Sequence, residues 1–455
     1  MKPVRGYLPA VNEMIITKPK TINQMRKRIA FIPLWVLTSV LIFTSCEDRR
    51  YQTYMANVPE YLSYEDLRKS VEAKDPKEIE RPGKIYFKDQ YIFINEFMEG
   101  VHVVDISDPS DPQIISYIPV PGNVDMAIKD NILYLDSYTD LVMIDITDPA
   151  SPEEQNRIED ILEYTLPPYD MDYPLARVDE DQGVVTGFEV KEHTEEIYTH
   201  PYPGPIFWEY SMDAAMSSSI PRGGGGGSPG STYGIGGSMA RFLTYDDYLY
   251  MLQSTNQLKV ADISSPDNVQ ITYDKYVGWG LETMFIYEDY MYLGAQDGMY
   301  ILSLQDPDSP FKTAVYRHIT SCDPVVVSGN LAYVTLRSGN MCGGTADLLE
   351  VIDISDKYAP ERIASYGMNE PYGLGISNST LFICQGENGM VVYDATNPYT
   401  ITDNKLAEFT DIEATDVIPF SNILFTIGDG GFFIYDYNDL DNISQIGTIP
   451  VVSGD

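Results

Sequence analysis

From about residue 81 to the C-terminus, short apolar runs alternate with short polar turns, and no stretch carries the 3.6-residue spacing of a long amphipathic helix. One unit recurs. An apolar run leads into a two-residue polar pair, then a run with a central aromatic, a loop, and a run closed by Asp. The pairs are Asp89-Gln90, Asp130-Asn131, Asp246-Asp247, Glu288-Asp289, Gly329-Asn330, Asn378-Ser379 and Ser421-Asn422. Most of them tolerate the positive φ of a tight hairpin. Three residues beyond each pair stands an aromatic: Phe93, Tyr134, Tyr250, Tyr292, Tyr333, Phe382 and Phe425. The closing column is Asp105, Asp145, Asp262, Asp353, Asp394 and Asp436, with Ser303 in the remaining place.

The separations from aromatic to closing residue are 12, 11, 12, 11, 20, 12 and 11, so only the fifth unit holds an inserted loop. Pro-bearing turns follow at Asp108-Pro109, Asp148-Pro149, Ser265-Pro266, Asp306-Pro307 and Asn397-Pro398. Proline is excluded from a paired central strand, so these turns lead to a fourth, outer strand such as Gln113 to Ile118 or Arg362 to Tyr366. The aromatics lie 41, 116, 42, 41, 49 and 43 residues apart. A period near 42 with four strands is that of a propeller blade. The pattern predicts an all-β, seven-bladed β-propeller of four-stranded antiparallel blades over residues 81–455, with a long insertion at 160–237. The runs Val101 to Pro109, Leu141 to Pro149, Leu258 to Pro266 and Leu349 to Ser355 resemble the LVIVD repeat of bacterial and archaeal surface propellers. Tyr54-Met55 and Ser63 to Arg68 are similar to the tether of lipoproteins in that family. The resemblance implies an exported propeller and supplies no catalytic residues.

Residues 1–45 read as an address. Met25-Arg26-Lys27-Arg28 is basic, Ile29 to Phe43 is apolar but short for a bilayer span, and translation starting at Met25 would give an ordinary signal peptide. Phe43-Thr44-Ser45-Cys46 resembles a lipobox, which makes Cys46 the acylated N-terminus of an outer-membrane lipoprotein on the cell surface or the periplasmic face. Residues 46–80 read as a polar tether with a short helix around Ser63 to Glu72, N-capped by Ser63. Beyond residue 45 the chain carries 67 acidic and 23 basic side chains, a net charge of −44. Such a surface repels phosphate backbones, which argues against a nucleic-acid partner. It suits a solvated exterior and cations.

Within the insertion, Gly183 to Val190 reads as the outer strand of blade two or a small extra hairpin. The glycine-rich stretch from Gly223 to Gly237 lacks the Gly-Lys-Ser/Thr of a phosphate loop and reads as a linker. Hairpin register in the fifth unit sets Cys322 opposite Arg337, and Cys342 follows in the inserted loop on the same sheet edge. A Cys322–Cys342 disulfide is therefore expected in an oxidising compartment. Cys384 reads as a buried small residue.

Each innermost strand of a propeller begins at the mouth of the central channel. Those starts carry Asp125, Arg241, Glu282, Asp323 and Asp416, with Lys84 in the first blade. Convergent carboxylates around an arginine can hold a cation such as calcium or a small polar ligand. Catalysis is the weaker expectation. The chain has four histidines, His102, His193, His200 and His318, and neither a Gly-x-Ser-x-Gly elbow nor a His-Glu-x-x-His pair. A hydrolase or lyase assembled from scattered residues at the mouth is the form it would take. Glycan binding draws on 35 Tyr and three Trp, of which Trp208 and Trp279 lie outside the repeat columns. The leading expectation is a binding scaffold for an envelope protein or glycan, because radial repeats make a rigid two-faced platform.

Overall fold

The structure is a computed structural model; it describes residues 51–196, 240–252, 255–317, 324–338, 345–428 and 430–452. Seven four-stranded antiparallel sheets follow one another along the chain, each with its strands in sequence order. Blade 1 is Pro82–Lys88, Tyr91–Glu96, Gly100–Asp105 and Gln113–Pro119, and blade 2 is Met126–Lys129, Ile132–Ser137, Asp140–Asp145 and Glu153–Ile158. Blades 3 to 7 open at Phe242–Tyr245, Leu281–Tyr287, Val325–Ser328, Leu374–Ser377 and Asp416–Phe420. The chain is a seven-bladed β-propeller.

The repeat columns have physical roles. The first residue of each predicted hairpin pair, from Asp89 (φ 54°) to Ser421 (φ 52°), sits in the left-handed region, Glu288 (φ 51°) included. That conformation matches the twist of the flanking strands, which outweighs its cost to a side chain bearing Cβ. The seven aromatics are all buried, at no more than 2% exposure, at the centre of the second strands. Burying each contributes roughly 1.5–3 kcal/mol. Each of the six closing aspartates accepts the backbone N–H two residues on, as Asp105 does from Ser107 (2.8 Å) and Asp353 from Ser355 (2.8 Å). Ser303 does the same for Gln305 at 3.3 Å. These are Asx turns, which bend the chain into the outer strand. Donors at Ser264, Ser355 and Thr396 hold the carboxyls of Asp262, Asp353 and Asp394 below their ordinary range, so the turns lose that support as pH falls through it. Every outer strand also carries a register shift just before this turn, between Val103 and Val104 in blade 1 and between Ile434 and Tyr435 in blade 7. Outer strands are stitched to the next blade's turn through Ser116 to Pro149 O (2.7 Å), Asn156 to Pro266 O (2.7 Å) and Tyr366 to Pro398 O (2.6 Å).

Blades 1 and 7 exchange no strand. Their seam is apolar, with Phe87 stacked on Phe420 at 5.6 Å and tilted against Phe425 at 4.4 Å. A strap from the preceding segment ties three blades together. Arg68 donates to the buried Asp140 of blade 2 (3.0 and 3.1 Å), and Val71 N–H to Glu154 (2.8 Å). Lys74 and Tyr117 of blade 1 exchange backbone hydrogen bonds (2.8 and 3.1 Å), and Val452, beyond blade 7, donates to Ile79 O (2.8 Å). Glu96 receives the N–H groups of Glu80 (3.1 Å) and Arg81 (2.6 Å) and lies 2.8 Å from His102 Nε2.

Part of the expected tether is thus laid against the blades. Ser63 caps a helix as expected, but the helix is only Tyr64–Leu67, because Glu72 and Lys74 are drawn into bridges with blades 2 and 1. Val184–Glu196 is neither the outer strand of blade 2 nor a hairpin of its own. It forms a two-stranded ribbon with Tyr51–Leu62. The pairing is antiparallel, with Thr53 facing Thr194 (2.8 Å) and Thr186 reaching Glu60 O (3.4 Å). Strand-pairing partners 120 or more residues apart carry no local signal, whereas hairpin partners do. Cys46, Cys322, Cys342 and the stretch from Gly223 to Gly237 lie outside the described residues; Cys384 is buried with a free thiol.

At the start of third strands, glycine recurs where the outer strand's backbone comes close. A Cβ on Gly298 (φ 149°) would lie 2.0 Å from Tyr316 O. Gly298→Ala should therefore destabilise the protein by about 2–4 kcal/mol in urea denaturation, beyond the ordinary cost of a surface substitution.

Candidate functional site at the channel mouth

Each blade's first strand starts at one end of the propeller, so the residues there come from different blades and meet only after folding. Lys84 and Asp125 are the clearest case. Both are about 95% or more buried, and the Lys84 ammonium is in contact with Asp125 Oδ2 as an ion pair. The same carboxylate accepts the Arg241 N–H (3.2 Å) and, through Oδ1, the Met126 N–H (3.0 Å). Burial pulls the Lys84 ammonium below its ordinary range and pushes the Asp125 carboxyl above its own; each partner resists the other's neutralisation. Three blades thus converge on Asp125.

Behind this pair runs a polar relay. Asn95 Nδ2 donates to Asn123 Oδ1 (2.6 Å), and Asn123 Nδ2 donates to Asp136 Oδ1 (2.8 Å). The same Oδ1 accepts the N–H groups of Val124 (2.7 Å) and Asp125 (2.9 Å). Loss of hydration, reinforced by the charge of Asp125, nonetheless pushes the Asp136 carboxyl up to about 7. Leu162 to Pro168, the first part of the insertion, fold over this corner and complete a cleft lined also by Asp136, Glu163, Arg241 and Phe242. Its enclosed space is about 40 Å³.

A family model described as the LVIVD repeat matches residues 83–118, 123–160, 236–271 and 321–367. The chain is an LVIVD-repeat protein. The matched segments fall on blades 1, 2, 3 and 5 of this LVIVD-repeat propeller, while blades 4, 6 and 7 have the same four-stranded build. A search of curated proteins found no match. Among solved structures, a protein from Lactobacillus plantarum is similar with a TM-score of 0.52 and 9% identity, covering 82% of this chain and 97% of that one. The periplasmic gluconolactonase PpgL of Pseudomonas aeruginosa aligns at a TM-score of 0.49 and 8% identity, over 85% and 97% of the two chains. The computationally designed protein Ika8 aligns at 0.48 and 11% identity, over 83% and 91%. At these identities the likeness is one of fold.

Of the mouth residues named from the LVIVD-repeat sequence, the structure joins Lys84, Asp125 and Arg241. Glu282 accepts a hydrogen bond from Gln296 of its own blade (3.1 Å). Asp416 is fully buried; its Oδ1 accepts only the adjacent Val417 N–H (2.7 Å), and burial raises its carboxyl well above the ordinary range. Asp323 lies outside the described residues. No three His, Cys, Asp or Glu side chains among the described residues are grouped as metal ligands, so calcium gains no support from them. His102 is buried against Glu96 and Tyr117, and His193 is edge-on to Tyr54 in the ribbon (6.1 Å). His200 and His318 lie outside the described residues. Sequence reading missed Asn95, Asn123, Asp136 and Glu163. Asp136 interrupts the apolar run Ile132 to Leu135, and that was the one available signal.

Removing Lys84 alone leaves a buried carboxylate without its counter-charge. Lys84→Met should cost about 3–5 kcal/mol in urea denaturation, and the pair Lys84→Met/Asp125→Leu should recover most of it. Asp136 has a raised folded-state value, so the native state holds its proton between the unfolded value of 3.8 and about 7 and loses stability as pH rises through that window. The stability of Asp136→Asn relative to the unsubstituted protein should accordingly rise from about pH 4 to about pH 8 in denaturation curves.

Proposed function

We propose that this LVIVD-repeat propeller is exported, acylated at Cys46, and held on the outer membrane as a binding scaffold for an envelope protein or glycan. The scaffold reading rests on the seven-bladed platform, whose broad faces offer rigid surfaces for recognition. Export and acylation rest on the basic Arg26-Lys27-Arg28, the apolar Ile29 to Phe43 and Cys46. Tyr276 and Trp279, 65% and 53% exposed, stand at the mouth-side end of blade 3 and the loop that follows. Large exposed aromatics of this kind anchor protein interfaces and also stack on sugar rings.

In cells fed an alkyne fatty acid, the protein should take up label, and Cys46→Ala should abolish it while leaving the propeller folded. Label retained by Cys46→Ala would reject acylation at this residue. Tyr276→Ala/Trp279→Ala should weaken capture of outer-membrane proteins or immobilised glycans by about tenfold or more. Unchanged capture on both would remove this surface from the recognition face, and a glycan array separates the two partner classes.

A further inference from the structure

Beyond the scaffold role, and independent of it, Lys84 and Asp125 are arranged as two reactants. The first two strands of blade 1 slip register between Pro82 and Ile85, and Lys84 stands in that irregularity. Irregularities of this kind re-aim a side chain out of the regular alternation. Lys84 is only 5% and Asp125 only 3% exposed, and Lys84 Nζ is in contact with Asp125 Oδ2. The carboxyl is held in place around that contact. Met126 N–H donates to Oδ1 (3.0 Å) and Arg241 N–H to Oδ2 (3.2 Å).

Two charges buried together carry a desolvation penalty that their attraction repays only in part. Burial is the largest influence on both groups, pulling Lys84 down and pushing Asp125 up, and the Arg241 charge adds to the effect on the lysine. Moving one proton from Nζ to Oδ2 across their contact relieves that penalty. It leaves a neutral amine against a neutral carboxylic acid. A desolvated, neutral lysine is a nucleophile. Its target is Asp125 Cγ, the atom that carries the oxygen it already touches. The Met126 N–H is aimed at Oδ1, where negative charge develops when the carboxyl carbon is attacked. Exclusion of bulk water disfavours the reverse hydrolysis.

We propose that Lys84 and Asp125 condense after folding into an intramolecular amide that joins blade 1 covalently to blade 2. The Nζ–Cγ bond forms and the Cγ–Oδ2 bond breaks. One amine proton passes to the departing hydroxyl, and one water leaves, so no oxidant or co-reactant is consumed. Asp125 lines the enclosed space of about 40 Å³, which is of the size to receive that water. The product keeps a carbonyl oxygen for the Met126 N–H and buries no charge of its own.

The test is peptide mapping by tandem mass spectrometry of the full-length protein, incubated folded at neutral pH and then digested under denaturing conditions. Trypsin should fail to cleave after Lys84. The peptides holding Lys84 and Asp125 should appear as one branched species, lighter than their sum by one water. Lys84→Arg keeps the positive charge but offers no amine, so the branched species should be lost and the two peptides recovered separately. The unsubstituted protein supplies the deciding signal, so the outcome stands even where the variant misfolds. Full recovery of two separate peptides from the unsubstituted protein, or a branched species that persists in Lys84→Arg, would overturn the proposal. A chain found linear would leave the ion pair, acylation and the aromatic surface as they stand.

Discussion

The whole molecule depends on the need of each blade to cover both of its faces. A four-stranded sheet with apolar residues on either side, as in Leu133–Leu135 or Tyr292–Leu293, has no stable existence alone. Stacking against two neighbours satisfies both faces only when the row closes into a ring. Blades 1 and 7 are therefore the critical pair, and they meet without an exchanged strand. Phe87 between Phe420 and Phe425 supplies the apolar seam, and the strap from Arg68 to Ile79 spans blades 2, 1 and 7. That arrangement ties the segment from Arg68 to Ile79 to the closure of the ring.

The acidity of the chain has a structural source as well as a surface one. Six of the seven blades end their third strand in an aspartate that accepts its own downstream N–H, and Asp108, Asp148, Asp356 and Asp439 repeat the device in the following turn. Antiparallel order places these turns and the first hairpins on the same face, opposite the mouth. The carboxylates accumulate there because the turn chemistry is used again and again. A strongly negative face is the by-product, and the lysines that accompany it, such as Lys129 bonded to Asp247 at 2.6 Å, act between blades.

At the mouth the same geometry produces a different result. First strands converge, so side chains that are far apart in sequence share one buried volume, and charge must be balanced across blades rather than within them. Lys84 with Asp125 shows the balance achieved. Asp416, with no counter-charge among the described residues, shows the alternative of a carboxyl that burial raises toward its neutral form. Asp136 lies between these cases, its Oδ1 clamped by three N–H donors while burial pushes its carboxyl up to about 7.

By itself the sequence determined the blade count, the hairpins and the Asp-closed turns, because each depends on residues within a dozen positions of one another. The pair Glu288-Asp289 adopts its positive φ as readily as Asn378-Ser379 does, since the strands on either side impose it. The sequence also pointed to Lys84, Asp125 and Arg241 through their place at strand starts. Only the tertiary structure decided which mouth residues touch and that Asp136 and Glu163 belong with them. It alone showed Tyr51–Leu62 pairing with Val184–Glu196 and the tether laid down as a strap. These features depend on contacts between segments tens to more than a hundred residues apart, where neither periodicity nor turn chemistry constrains the choice of partner. They are settled by which buried surfaces and buried charges remain to be satisfied once the blades have formed.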